Sequence, residues 1–194
     1  MIFKKAYRQE DEWLAKARQG DQRSIKQLVS HYSSFAYTIA FGVVGNHEEA
    51  EEIVQDAFLK AFNALSGFKQ SSRFSTWLYK IVYRTALNKL QAIGREQRKE
   101  SLNDTLYEIA DNTQAWDSIQ KSEREKYVQQ ALNQLQATDK LLVQLHYIAE
   151  KSIAEICEIT GHKRSAVKMR LLRSRKQLEQ ALKTMLNKEI SELL

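Results

Sequence analysis

Residues 46–62 read NHEEAEEIVQDAFLKAF. The pattern is that of a single helix. Ala50, Ile53, Val54, Ala57, Phe58 and Ala61 recur at helical spacing and make a core-facing stripe. Asn46 suits the N-cap, and Glu49 three residues on completes a capping-box-like start. Placing residues about 100° apart puts Glu48, Glu52, Gln55, Asp56 and Leu59 on the opposite side. That outer face is acidic, carries an apolar leucine, and meets no Lys or Arg within the stretch before Lys60. Acids in the first two turns suit the positive end of the helix dipole, but Asp56 lies too far along to share that gain. Two readings follow: a solvated acidic face, or a docking face for a basic partner. The rest of the chain decides between them.

On the N-terminal side, Asp11 to Gln19 starts a helix with Trp13, Leu14 and Ala17 as its apolar side. Gly20-Asp21 breaks it, and Asp21 can cap a second helix over residues 22–44. That helix carries Ile25, Leu28, Val29, Tyr32, Phe35, Ala36, Ile39 and Ala40 on one broad stripe. On the C-terminal side, LSGFKQSSR (65–73) reads as a polar loop, followed by the helix FSTWLYKIVYRTALNKL (74–90). Phe74, Trp77, Leu78, Ile81 and Val82 face inward. Lys80, Arg84 and Asn88 share an outer face at i, i+4 and i+8, with Tyr83 beside them and Arg73 just ahead. Cations interleaved with aromatic and amide groups suit unstacked nucleic acid, since cations take phosphates and π-faces take bases.

The totals agree with an all-α protein. The 194 residues contain no proline and 6 glycines, with 43% hydrophobic and 28% charged residues. The net charge of +6 favours a polyanionic partner. One cysteine, Cys157, excludes an internal disulfide framework and reads as a small core residue. His31, His47, His146 and His162 show no metal-ligand spacing, so neither metal nor cofactor is expected. The longest apolar run, 39–45, is too short to span a bilayer, and residues 1–13 turn acidic before any signal-peptide core forms. A cytoplasmic location is therefore expected. Charge by segment is more telling. Residues 67–99 hold eight cations and one acid, 163–176 hold seven cations and no acid, and the span 100–120 between them holds only acids.

From Gly94 to Gln120 the composition predicts a linker. Beyond it, Tyr127, Val128, Ala131, Leu132 and Leu135 predict one helix, and Leu141, Leu142, Leu145 and Ile148 another after a break at Thr138. The most specific local pattern is SIAEICEITGHKRSAVKMRLLRSRKQL (152–178). Ser152 and Glu155 make a capping box, Ile153, Ile156, Cys157 and Ile159 face inward, and Gly161 stands where a helix-turn-helix needs its tight turn. Ser165 can cap the next helix, with Val167, Leu171, Leu178 and Met185 inside. Its other side presents Lys168, Met169, Leu172, Arg173 and Lys176, with Arg164 ahead, the form of a major-groove recognition helix. Met169 and Leu172 are suited to thymine methyl groups.

These stretches together resemble the extracytoplasmic-function sigma factors of bacterial RNA polymerase, within the sigma-70 family. WLAKARQGD (13–21) is similar to the family's opening helix and turn, GNHEEAEEIVQDAFLKAF (45–62) to its polymerase-docking helix, and residues 74–90 to its promoter-opening helix. The second domain, which begins near Ser122, is similar to its C-terminal helix-turn-helix. The resemblance implies a region 2-like helical bundle over 8–94, a linker over 95–121 and a region 4-like domain over 122–188. It implies polymerase contacts at Glu48, Glu52, Gln55, Asp56 and Leu59. Minus-ten contacts would fall on Phe68, Arg73, Lys80, Tyr83, Arg84 and Asn88. Minus-thirty-five contacts would fall on Arg164, Ser165, Lys168, Met169, Leu172, Arg173 and Lys176. It also implies core RNA polymerase, promoter DNA and an anti-sigma factor as partners. The chain departs from the common pattern at Arg84 (often Asn), Asn88 (often Asp), Leu135-Gln136 (usually Leu-Pro) and Ser165-Ala166 (often Gly-Thr).

No nucleophile–base pair, phosphate-cradling glycine loop or metal cluster appears, so the expected role is initiation without chemistry of its own. A helix-turn-helix repressor or activator, dimeric on duplex operators, is the alternative, but it leaves the acidic face and the basic 67–99 block unused. An adaptor docking through 46–62 leaves the charged recognition helix unused.

Overall fold

The structure, a computed structural model, describes residues 2–100 and 123–193, and side-chain surroundings over 9–95 and 127–185. The chain forms two compact units, Met1–Asp104 and Thr105–Leu194. Every regular element among the described residues is helical. The span expected to be an acidic linker lies, from residue 101 on, outside the described residues.

The first unit holds α1 (Ile2–Ala17), α2 (Gln22–Val44), α3 (His47–Asn63), a short 3-10 turn (Leu65–Gly67) and α4 (Phe74–Glu100). α2, α3 and α4 pack pairwise, and α1 lies on α2. The caps are where the residue types place them. Asp21 accepts the amide of Ser24 at 2.9 Å to start α2. Gly45 ends α2 in the left-handed conformation (φ +70), and Asn46 accepts the amide of Glu49 at 3.0 Å to start α3. α1 begins earlier than the expected Asp11.

The three-helix contact is close because the facing positions are small. Ala36 and Ala40 of α2, Ala50, Ala57 and Ala61 of α3, and Ala86 of α4 are all sealed from solvent. Leu28, Ile39, Ile53, Leu65, Leu78 and Val82 fill the space between them. Burial of each large aliphatic side chain stabilises by about 1.5–3 kcal/mol relative to exposure. An aromatic cluster closes one end. Tyr32 sits edge-on to Phe74 (5.4 Å) and Tyr79 (6.2 Å), and Phe35 lies 5.1 Å from Tyr79. Burial, reinforced by the Glu10 charge, pushes the Tyr79 phenol well above its usual range, so it stays neutral.

α4 does not stop at Gly94 but continues to Glu100. A helical glycine costs roughly 1 kcal/mol against alanine, and the following REQRKE are strong helix formers. Composition alone places residues 95–100 in the linker, whereas they continue α4.

The second unit holds α5 (Glu123–Asn133), α6 (Ala137–Tyr147), α7 (Ile153–Thr160) and α8 (Arg164–Leu193). α5, α6 and α7 each pack on α8. Ala131, Leu132, Leu142, Leu145, Ile156, Ile159 and Val167 form the core. The break before α6 lies at 134–136, and Thr138 stands inside the first turn of α6. Two expected core residues are outside it. Val128 is exposed, and Ile148 is exposed because it follows the last turn of α6. Cys157 is half-buried rather than sealed in the core.

Candidate functional site

The acidic face of α3 is presented as its periodicity requires. Ala50, Ile53, Ala57, Phe58 and Ala61 are buried. Glu48, Glu52, Gln55 and Leu59 are exposed and Asp56 is half-exposed. Leu59 is 65% exposed, the most open of the large apolar side chains among the described residues. Asp56 pairs with Lys60 at 2.6 Å. The face also has a cation that no reading along the helix could find. Lys89, arriving from α4, stands 2.8 Å from Glu49 and 2.9 Å from Glu52. Its hydrogen bonds to Glu49 and then Glu52 hold the ammonium well above the usual lysine range.

The loop before α4 is anchored at both ends. Phe68 packs 4.8 Å from Trp77 and 5.8 Å from Phe74, and the carbonyl of Arg73 accepts the amide of Trp77 to open the helix. Between them Lys69, Gln70 and Ser71 are exposed, as is Arg73. On α4, Arg84 and Asn88 are exposed and Lys80 is half-buried. Two of the expected DNA contacts are buried. Phe68 is only 6% exposed and Tyr83 only 8%. Phe68 belongs to the aromatic cluster. Tyr83 is covered because α4 is packed by both α2 and α3, which widens its buried arc. Arg18 was not found from sequence: its Nη2 donates to the Phe68 carbonyl at 2.7 Å, across 50 residues of chain.

The helix-turn-helix is built as its sequence pattern implies. Ser152 and Glu155 form a full capping box at the start of α7, and Gly161 ends it at φ +75. Ser165 is not the cap of α8. The helix begins at Arg164, and the carbonyl of Lys163 accepts the first amide, that of Val167. Arg164, Ser165, Lys168, Met169, Leu172, Arg173 and Lys176 are all exposed on α8, while Val167, Leu171 and Ser174 seal the opposite side. Met169 is 51% and Leu172 48% exposed. Arg170 is turned away from this face and pairs with Asp139 of α6 at 2.8 Å, fixing α8 on its own unit. A helix with such a face fits a groove about 12 Å wide.

Family models match both units. Residues 28–96 match Sigma-70 region 2 and residues 125–178 match Sigma-70, region 4, together well over half of the chain. The chain belongs to the sigma-70 family. It is an alternative sigma factor of the extracytoplasmic-function type, which binds core RNA polymerase and directs promoter-specific initiation. The ECF RNA polymerase sigma factor SigW of Bacillus subtilis is 28% identical over 94% of this chain and 98% of its own length. The RNA polymerase sigma-H factor of Pseudomonas aeruginosa is 28% identical over 92% of this chain and 96% of its own. The fold of this sigma factor is similar to that of RpoE from Bartonella quintana, solved with the anti-sigma factor NepR. That comparison has a TM-score of 0.62 at 23% identity and covers 81% of this chain and 96% of that one. CnrH, solved with the cytosolic domain of CnrY, gives a TM-score of 0.57 at 24% identity over 91% and 98% of the two chains. Among the described residues no group of side chains is placed to hold a metal ion, and no helix is long and apolar enough to cross a membrane.

Proposed function

We propose that this sigma factor docks on core polymerase through Glu48, Glu52, Gln55, Asp56 and Leu59 of α3. The observation that carries the reading is the exposed Leu59 set among carboxylates, on a helix whose other side is sealed in the region 2 match. An apolar anchor inside a charged rim is the composition of a protein interface rather than of a solvated face. The minus-ten element, once melted, lies on the 68–73 loop and on Arg73, Lys80, Arg84 and Asn88. Phe68 and Tyr83 support this surface from beneath instead of touching DNA. The minus-thirty-five element is read as duplex by Arg164, Ser165, Lys168, Met169, Leu172, Arg173 and Lys176 of α8. The domains are assigned as 8–94 and 122–188, with the helix of the first running on to residue 100. Neither DNA surface is large, so affinity comes from engaging both at once on the polymerase, where effective concentration is high.

The factor performs no chemistry of its own and acts where polymerase and nucleoid are, in the cytoplasm. An anti-sigma factor is the proposed regulator. The family resemblance supports it, as do the anti-sigma factor NepR solved with RpoE and the cytosolic domain of CnrY solved with CnrH.

The test is co-elution with core RNA polymerase of the same bacterium on a sizing column. Wild type elutes with the core enzyme. Glu52→Lys/Asp56→Lys elutes apart while keeping its thermal midpoint, and Leu59→Ala, which lies outside the ion pairs, weakens the complex. A wild-type protein that stays apart from polymerase and binds duplex DNA as a dimer overturns the reading in favour of an ordinary operator-binding regulator.

A further inference from the structure

We infer that Arg18 is a positioning residue for promoter opening, holding the 68–73 loop in the conformation that receives melted DNA. The inference rests on the proposed placing of the minus-ten element at that loop. Arg18 follows α1 directly, and its Nη2 donates to the Phe68 carbonyl at 2.7 Å. A carbonyl oxygen and the next amide share one rigid plane, so gripping that oxygen fixes the plane through which the chain enters Lys69. The Phe68 ring, wedged against Phe74 and Trp77, fixes the other side of the same residue. Phe68 is therefore held at ring and carbonyl together, and the direction in which Lys69 to Arg73 leaves the core follows.

The loop needs such a hold. Gln70 stands at φ +56, a left-handed conformation that disfavours any residue with a Cβ. A strained residue persists only where its surroundings over-determine it, and such places cluster at ligand-binding segments. Lys69, Gln70 and Ser71 are exposed, so the constraint comes from the ends of the loop rather than from its middle. The guanidinium is suited to the task. Its planar fork is pre-organised, and its hydrogen bond to a carbonyl is charge-assisted.

The experiment uses holoenzyme assembled from core polymerase and full-length factor, on a promoter carrying 2-aminopurine in the minus-ten element. Stopped-flow fluorescence reads unstacking, and a salt series reads phosphate contacts. Arg18→Met slows opening roughly tenfold, the scale of one charge-assisted hydrogen bond. It leaves holoenzyme affinity and salt slope unchanged, lowers the thermal midpoint by only the few degrees that one lost hydrogen bond costs, and accelerates amide exchange at the start of α4, where the Arg73 carbonyl accepts from Trp77. Lys80→Ala and Arg84→Ala serve as reporters of the site itself. If they slow opening and Arg18→Met does not, the positioning role is overturned and the minus-ten assignment stands. If none of the three slows opening, the assignment fails and takes the proposal with it. If Arg18→Met slows opening with a salt slope smaller by about one, Arg18 is a phosphate contact and the positioning role is overturned.

Discussion

The same substitution at two glycines should change stability in opposite directions. Gly161 closes α7 at φ +75, and a Cβ built there meets nothing within 4 Å. The cost of Gly161→Ala is therefore purely conformational, roughly 1–2 kcal/mol for an L-residue in the left-handed region. Relief of unfolded-chain entropy returns part of it, about 0.4–1 kcal/mol, leaving a net loss near 1 kcal/mol. Gly94 lies inside α4, and a Cβ there also has open space. Gly94→Ala should stabilise the helix by about 1 kcal/mol. Gly94 and Gly161 lie in different units, so a single melting curve does not assign either effect to its helix. Amide exchange resolved by peptide does not. Protection in α7 and the first turns of α8 should fall about fivefold in Gly161→Ala, and protection around residues 88–95 should rise by a similar factor in Gly94→Ala. Unchanged protection near Gly94 refutes the continuous helix and restores a linker beginning there. Unchanged or increased protection in Gly161→Ala refutes the left-handed cap on which the helix-turn-helix angle depends.

Three further outcomes follow from the same geometry. Phe68→Ala should lower the stability of the first unit by about 3–5 kcal/mol in urea unfolding followed by circular dichroism, because a buried aromatic is removed; a loss below about 0.5 kcal/mol returns Phe68 to the surface. The Asp21 carboxylate is held below its ordinary 3.8 by the hydroxyl and amide of Ser24. Its contribution is thus fully present above that value and is lost as pH falls through the depressed one, so Asp21→Asn, which keeps the cap, should flatten the acid limb of a thermal-midpoint series. On promoter DNA bound to holoenzyme, Lys176→Ala should reduce the salt slope by about 0.9 if it neutralises one phosphate, whereas Arg173→Ala, if bidentate to guanine, should erase about 1–3 kcal/mol of preference at one base pair.

Local signals carried most of the helical frame. Asp21, Asn46, Ser152, Gly45 and Gly161 each act within three or four residues of where they stand, and all five punctuate helices as their types imply. The exposed face at the start of α8 was equally legible, because the buried side of its first turns is a narrow stripe of Val167, Leu171 and Ser174. α4 was not. It is packed by two helices, so its sealed positions include Leu78, Tyr79, Val82, Tyr83, Thr85 and Ala86, more than one stripe can hold. A period of 100° locates the centre of a buried arc but says nothing of its width. Tyr83 stood at that margin, and Phe68, in a loop, had no period at all.

The other omissions are contacts between residues far apart in sequence, and one of them bears on docking. Read along α3 alone, the acidic face had no counter-charge before Lys60. In the fold, Lys89 bridges Glu49 and Glu52 from α4. The bridge is divided: Glu52 is largely exposed, whereas Glu49 and Lys89 are each about one-third exposed. Under the proposed docking, a polymerase cation therefore reaches Glu52 first. Lys89 then keeps Glu49, so the exchange of partners leaves no charge unpaired. Under the same proposal the junction of α3 with α4 persists while its outer carboxylate changes hands, so the two helices would meet polymerase and DNA as one body.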